Sequence, residues 1–231
     1  MHPRQTDERP LYTNTLWEWR AFGEHIEPNL QRVIQTLQKK SNKPTTFEDH
    51  YIWIPNCQIN LKLRDDELRI KQLLNSDSTD KAIQQWMTQA YHFPISVHTI
   101  MRLIGDIHYP DELTTELQNQ KVISKNKFMS IMQILSRILK QKEFSILTVK
   151  KDREVYLWHD KDCDGVEGVT VEIAKILEPE SLYSLSLEHH DLNKIKSALS
   201  YLNLSVDSHP EMKPLSYLKL IGYWFDGRKL Y

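Results

Sequence analysis

The sequence predicts an α+β fold in which an antiparallel β-barrel or sheet is decorated by helices. Two observations lead there. About seven segments read as strands, with neither the regular β-α succession nor the continuous apolar runs of a parallel sheet. Among them, Ile59 to Leu74 (INLKLRDDELRIKQLL) alternates strictly on both sides of an Asp65-Asp66 turn and so reads as a hairpin. Its polar side carries Lys62 and Arg64 on one strand and Arg69 and Lys71 on the other, against Leu61, Leu63, Leu68 and Ile70. These cations either face water, as on a half-buried hairpin, or line the inside of a closed barrel, where they converge on a polyanion.

Taken in order, Leu11 to Phe22 reads as a strand with Leu16, Glu18, Arg20 and Phe22 on one side and Trp17, Trp19 and Ala21 on the other. The two indoles are expected to pack under a helix, away from Glu18 and Arg20. Pro28 opens an amphipathic helix that runs to about Lys40, with Leu30, Val33, Ile34 and Leu37 at helical spacing. Phe47 to Ile54 is a second strand and leads into the hairpin. From Ser78 the spacing turns helical, over Asp80 to Tyr91 and Ser96 to Ile107, which defines a helical insertion at about residues 78–125. Lys127 to Lys140 fits a helix, with a strand as the alternative over part of it. Phe144 to Trp158 reads as a hairpin turning at Lys151-Asp152-Arg153, and Val169 to Leu177 as a further strand. Asp191 to Leu202 and Leu215 to Trp224 close the chain as helices. No repeat or low-complexity tract divides the 231 residues, so a single domain is expected.

Composition removes several function classes. Thirty basic side chains against thirty-one acidic ones leave no bulk charge with which to hold nucleic acid or an anionic membrane. Any cationic site is therefore local. Cys57 and Cys163 are far apart and form neither a disulfide framework nor a cysteine-rich zinc site, which suits a reducing cytoplasm. The polar start MHPRQTDERP is unlike a signal peptide, and no apolar run reaches the length of a membrane span. With six glycines and no phosphate-binding glycine loop, any phosphate has to be held by side chains. Asp160, Asp162, Asp164 and Gly165 begin like a calcium loop, but Val171 stands where the closing carboxylate belongs, so an inter-strand loop is the expected reading. The His189-His190 pair beside Asp191 is a weak metal signal.

Read in order, these segments resemble the CYTH superfamily, the triphosphate tunnel metalloenzymes. LWEWR stands where that family has E-x-E-x-K, keeping Glu18, with Arg20 for the lysine and Leu16 for the first glutamate. Lys62 and Arg64 match its R-x-R strand, and Arg69 and Lys71 the basic strand that follows. LKQKEFSILTVKKDREVYLWHD resembles the family's basic hairpin that ends in aspartate, VTVEIAKIL its E-x-E strand with Ala174 for the second glutamate, and LSYLKLI its closing segment. The resemblance implies a triphosphate-tunnel-like barrel in which Arg20, Lys62, Arg64, Arg69, Lys71, Lys142 and Lys150 bind phosphate. It implies that Glu18 and Glu172 are catalytic and, with Asp160, hold Mg²⁺ or Mn²⁺. The expected partner is a triphosphate-containing small molecule or polyphosphate, hydrolysed with the metal; the alternative is a non-catalytic sensor or scaffold that binds polyphosphate or nucleotide.

Overall fold

The computed structural model describes residues 9–41, 45–54, 59–103, 117, 119–139, 144–160, 167–204 and 209–231. Its elements run β1 (Tyr12–Gly23), α1 (Pro28–Gln35), β2 (Gln38–Lys39), β3 (Thr45–Trp53), β4 (Ile59–Arg64), β5 (Glu67–Ser76), β6 (Ile83–His92) and β7 (Ile95–Ser96). They continue with α2 (Val97–Leu103), β8 (Val122–Ile123), α3 (Lys125–Ile138), β9 (Ser145–Trp158), β10 (Val169–Glu178), β11 (Leu182–His189), α4 (Leu192–Tyr201), β12 (Lys213–Pro214) and α5 (Tyr217–Phe225).

Eight strands close on themselves in the order β10-β11-β1-β6-β5-β4-β3-β9, with β9 pairing back to β10. Every neighbouring pair in this ring is antiparallel. Closure removes the free strand edges that an open sheet would expose. The hairpin of β4 and β5 turns at Asp65, whose φ of 49° lies in the left-handed region that aspartate tolerates.

The outer wall is apolar on two sides, and helices cover both. Trp19, Ala21, Val171, Ile173, Leu185 and Leu187 pack under α1 and α4, through Leu30, Ile34, Ile195 and Ala198. Leu61, Leu63, Leu68, Ile70 and Tyr91 pack under α2 and α3, through Ile100, Phe128, Ile131, Met132 and Leu135. The helix starts follow local chemistry: Glu27 accepts from the amides of Asn29 and Leu30 ahead of Pro28, and Ser124, Asp191 and Ser216 cap α3, α4 and α5. Trp17 and Trp19 belong to the helix-covered side, as their alternation predicts. No helix among the described residues is long and apolar enough to cross a membrane.

Four readings need correction. Of residues 80–91, expected to be helical, those from Ile83 onward belong to the barrel strand β6, so helical structure in this part of the chain begins only at Val97. Ile83 meets the α4 side and Tyr91 the α2 side, while Trp86 and Ala90 turn inward, so this strand buries apolar groups on both faces and mimics helical spacing. Residues 145–158 are one unbroken strand, not a hairpin; Lys151, Asp152 and Arg153 sit mid-strand. The first helix ends at Gln35, and β2 follows. Finally, β11 is a strand that the pattern reading passed over.

Candidate functional site

Alternation along the closed strands sends every second side chain into the lumen. There they line a cavity of about 220 Å³. Arg20 comes from β1, Lys62 and Arg64 from β4, Arg69 and Lys71 from β5, and Lys151 and Arg153 from β9. Glu18, Glu172 and Glu188 come from β1, β10 and β11. The hairpin cations therefore face inward, which decides the choice left open by the sequence.

On the side formed by β3, β4 and β9, one carboxylate serves three cations. Asp49 is fully buried and takes Arg64 in a two-pronged pair, Nε to Oδ1 at 2.6 Å and Nη2 to Oδ2 at 2.7 Å. Lys62 Nζ and Lys151 Nζ each lie 3.6 Å from its Oδ2. Burial would raise the Asp49 carboxyl, but Lys62, Arg64 and Lys151 together hold it well below the usual carboxylate range. Lys62 is the complement. Burial lowers its ammonium well below the ordinary lysine value; Asp49 opposes this, and Arg64, Lys151 and Lys71 push the same way as burial. The Phe47 ring lies under both Arg64 (4.2 Å) and Arg153 (4.5 Å), which holds two guanidinium groups in place without neutralising either.

The side formed by β1, β5, β10 and β11 is built the other way round. Three glutamates gather about Arg20: its Nε is 2.9 Å from Glu18 Oε1, its Nη1 3.6 Å from Glu172 Oε1, and its Nη2 3.7 Å from Glu188 Oε1. Arg20 Nη1 also donates to Ser184 Oγ at 3.2 Å. Lys71 pairs closely with Glu18 and lies 3.7 Å from Glu188, and Arg153 Nη1 is 3.1 Å from Glu172 Oε2. Burial would raise Glu18, but Lys71 and Arg20 hold it far below its ordinary value. Glu172, also opposed by burial, is brought down to about 2 by Lys151, Arg20, Arg153 and Lys62. Glu188 is raised by burial, with Lys71 opposing and Glu18 and Glu172 adding to the rise.

The structure thus brings together Glu18, Glu172, Arg20, Lys62, Arg64, Arg69 and Lys71 from the sequence reading. It does not bring Lys150, which is exposed and pairs on the outside with Glu178 (3.1 Å) and Glu48 (3.9 Å); Lys151 takes the inward place. Asp160 lies apart from the lumen lining, 3.7 Å from Lys194 of α4. Lys142 and the loop of Asp162, Asp164 and Gly165 fall outside the described residues. Lys151, Arg153, Asp49 and Glu188 were not identified as site residues from the sequence. The alternation of Ser184, Ser186 and Glu188 against Leu185 and Leu187 is the signal that marks β11 and its glutamate.

Among the described residues, no three His, Cys, Asp or Glu side chains are disposed to hold a metal ion by themselves. Glu18 and Glu172 are engaged by cations. All-carboxylate donors suit a hard ion such as Mg²⁺ or Mn²⁺, and Mg²⁺ commonly needs one or two protein carboxylates when phosphates complete its shell. Glu18, Glu172 and Glu188 do not form a group that holds a metal by itself, so an ion here would draw its shell mainly from a phosphate ligand, with one or two of these carboxylates added.

No family model matches the chain, and no curated protein matches it. Among solved structures, it is similar to a conserved hypothetical protein from Pyrococcus furiosus at 18% identity and TM-score 0.47, over 88% of this chain and 99% of that one. A protein from Bacillus halodurans provisionally named an adenylate cyclase is 10% identical with TM-score 0.41, over 89% of this chain and 96% of that one. A chain of the Schizosaccharomyces pombe Mediator head module is 8% identical with TM-score 0.41, over 86% of this chain and 98% of that one. These likenesses are too distant to carry a function across.

Proposed function

We propose that the barrel lumen binds a triphosphate-bearing small molecule or an inorganic polyphosphate. One observation carries this reading: seven cations from four strands face a single cavity in which three carboxylates line the wall. Seven cations outnumber the three lining carboxylates and Asp49, and phosphate oxygens accept charge-assisted bonds from several cations at once. The resemblance to the triphosphate tunnel metalloenzymes supports the same ligand class, and Leu16 and Ala174 mark where this chain departs from them.

Divalent-metal-dependent hydrolysis of the bound anhydride is the second reading, favoured by the gathering of Glu18, Glu172 and Glu188 about Arg20. An ion bound with the phosphates supplies Lewis-acid polarisation of a phosphoryl oxygen. The chain's own part is to orient the phosphates through Arg20, Lys71 and Arg153 and to offer carboxylate oxygens on one side of them.

Calorimetry with tripolyphosphate tests binding, and phosphate release with Mg²⁺, Mn²⁺ or EDTA tests turnover on the same samples. Saturable binding that weakens with salt is the expected result. Metal-dependent release that Glu18→Gln abolishes, with binding kept, establishes the hydrolase. Binding without release leaves a tunnel that senses its ligand, and no binding sinks the lumen reading altogether.

A further inference from the structure

Helix α5 packs against side chains that belong to the inside of the barrel. Phe22 lies two residues beyond Arg20, Tyr51 two beyond Asp49 and Val149 two before Lys151, so strand alternation points all three inward. The same count from Glu172 and Glu188 turns Ile176 and Leu182 inward. These five residues come from five consecutive strands of the ring, β3, β9, β10, β11 and β1, and they form one apolar cluster with Tyr217, Leu220 and Ile221 of α5. A helix therefore occupies one end of the tunnel, and its first residues, Ser216, Tyr217 and Leu218, line the cavity.

Tyr217 is the polar group at that floor. It is 6% exposed, and its hydroxyl is buried with no hydrogen-bond partner. Its ring is fixed by stacking on Tyr51 (5.6 Å between centroids, 16°) and by an edge contact with Phe22 (5.1 Å, 86°). Arg20 and Lys151 each lie 4.8 Å from its ring centre. A buried hydroxyl is rarely left without a partner unless something else completes it. Here the candidates for completion are narrowed by the surroundings: two cations beside the ring and the positive end of a nine-residue helix all favour an anionic oxygen.

We propose that the tunnel is blind and reads a free phosphate terminus, which is seated on the Tyr217 hydroxyl and the first turn of α5 between Arg20 and Lys151. This rests on the lumen binding polyphosphate and specifies which part of the chain enters. An internal phosphate cannot reach the floor, because the polymer has no exit past α5. A terminal phosphate can, and it offers the acceptor oxygen that the Tyr217 hydroxyl lacks.

The test compares two ligands with the same phosphate chain on the wild-type protein: adenosine tetraphosphate, which has one free end, and bis-adenosine tetraphosphate, which has none. Calorimetry is expected to give at least a roughly 10-fold weaker affinity for the blocked ligand. Tyr217→Phe, which keeps the ring packing, is expected to weaken tripolyphosphate about 5- to 10-fold by loss of one hydroxyl contact to an anion. Equal affinities for the two nucleotides, or an unchanged Tyr217→Phe, overturns the blind-tunnel inference and leaves polyphosphate binding standing. Failure of the wild type to bind tripolyphosphate at all removes both together.

Discussion

The two sides of the lumen use the same strand geometry and reach opposite charge balances. Around Asp49 a single carboxylate is divided among Arg64, Lys62 and Lys151; around Arg20 three glutamates share the guanidinium with Lys71 and Arg153 as further partners. The first side sets three cations against one carboxylate, and the second balances Glu18, Glu172 and Glu188 against Arg20, Lys71 and Arg153. The difference teaches that the lumen is asymmetric in what its own side chains leave over: the β3-β4-β9 side has cations in excess, and the β1-β5-β10-β11 side pairs its charges internally. Removing the one anion of the poorer side should have the largest effect. Asp49→Asn is expected to lower unfolding stability by about 3–5 kcal/mol, the range for stripping a buried charge of its partner. Urea unfolding measures this, and tripolyphosphate should raise the melting temperature of the variant more than that of the wild type. A variant as stable as wild type would mean that solvent already neutralises the three cations, which would break the comparison.

Protons sharpen it next. Burial holds Lys62 below the ordinary lysine value of 10.5, with Arg64, Lys151 and Lys71 acting in the same direction and Asp49 against them. A bound anion favours the charged ammonium and raises it again. Binding should therefore take up a proton at pH values between the depressed value of the free protein and the higher value in the complex, and affinity should fall as the pH rises through that window. Calorimetry in two buffers of different ionisation enthalpy reads the uptake directly. Lys62→Met should abolish it and weaken tripolyphosphate roughly 10-fold. Lys71, on the other side, is opposed by burial yet raised by Glu18 and Glu188, so it stays charged throughout and contributes no uptake. Uptake that survives in Lys62→Met would assign it elsewhere and remove the distinction between the sides.

Much of this asymmetry is legible in the sequence, and what is hidden is hidden for a physical reason. The hairpin of β4 and β5 announces itself because its outer face is uniformly apolar under α2 and α3 and its inner face uniformly polar. In β9 the inner face is charged at mid-strand, so KKDR looks like the turn of a hairpin when read without the barrel around it. The error moved attention to Lys150, whose side chain is 42% exposed, and away from Lys151, which is 4% exposed beside Asp49. Asp49 itself gave no sign, since an acid between Glu48 and His50 on an aromatic strand looks like a solvated position. In β6 apolar Trp86 and Ala90 lie on the inward side while Gln85 and Gln89 stand between Ile83 and Tyr91 on the outward side, which destroys the period of two that would have revealed it. Closed barrels with charged interiors invert the usual inside-outside rule, and strand patterns survive only where the inner face is uniformly polar and the outer face uniformly apolar.

The smallest effect concerns the glutamate side when no metal is present. Glu188 is raised by burial, and Glu18 and Glu172 add to the rise against Lys71. A carboxyl whose folded value lies above its ordinary 4.5 contributes stability that is present below 4.5 and lost as the pH rises through the folded value. Glutamine imitates the protonated form at every pH. Glu188→Gln should therefore be more stable than wild type at neutral pH by about 1 kcal/mol or less, with the gain shrinking to nothing in acid. Thermal melts across the pH range measure it. The sign should reverse when Mg²⁺ and tripolyphosphate are both present, because an ion held with the phosphates favours the ionised carboxylate that the variant has lost. If Glu188→Gln remains the more stable protein under those conditions, Glu188 serves no metal ion, and the hydrolytic reading falls while phosphate binding stands.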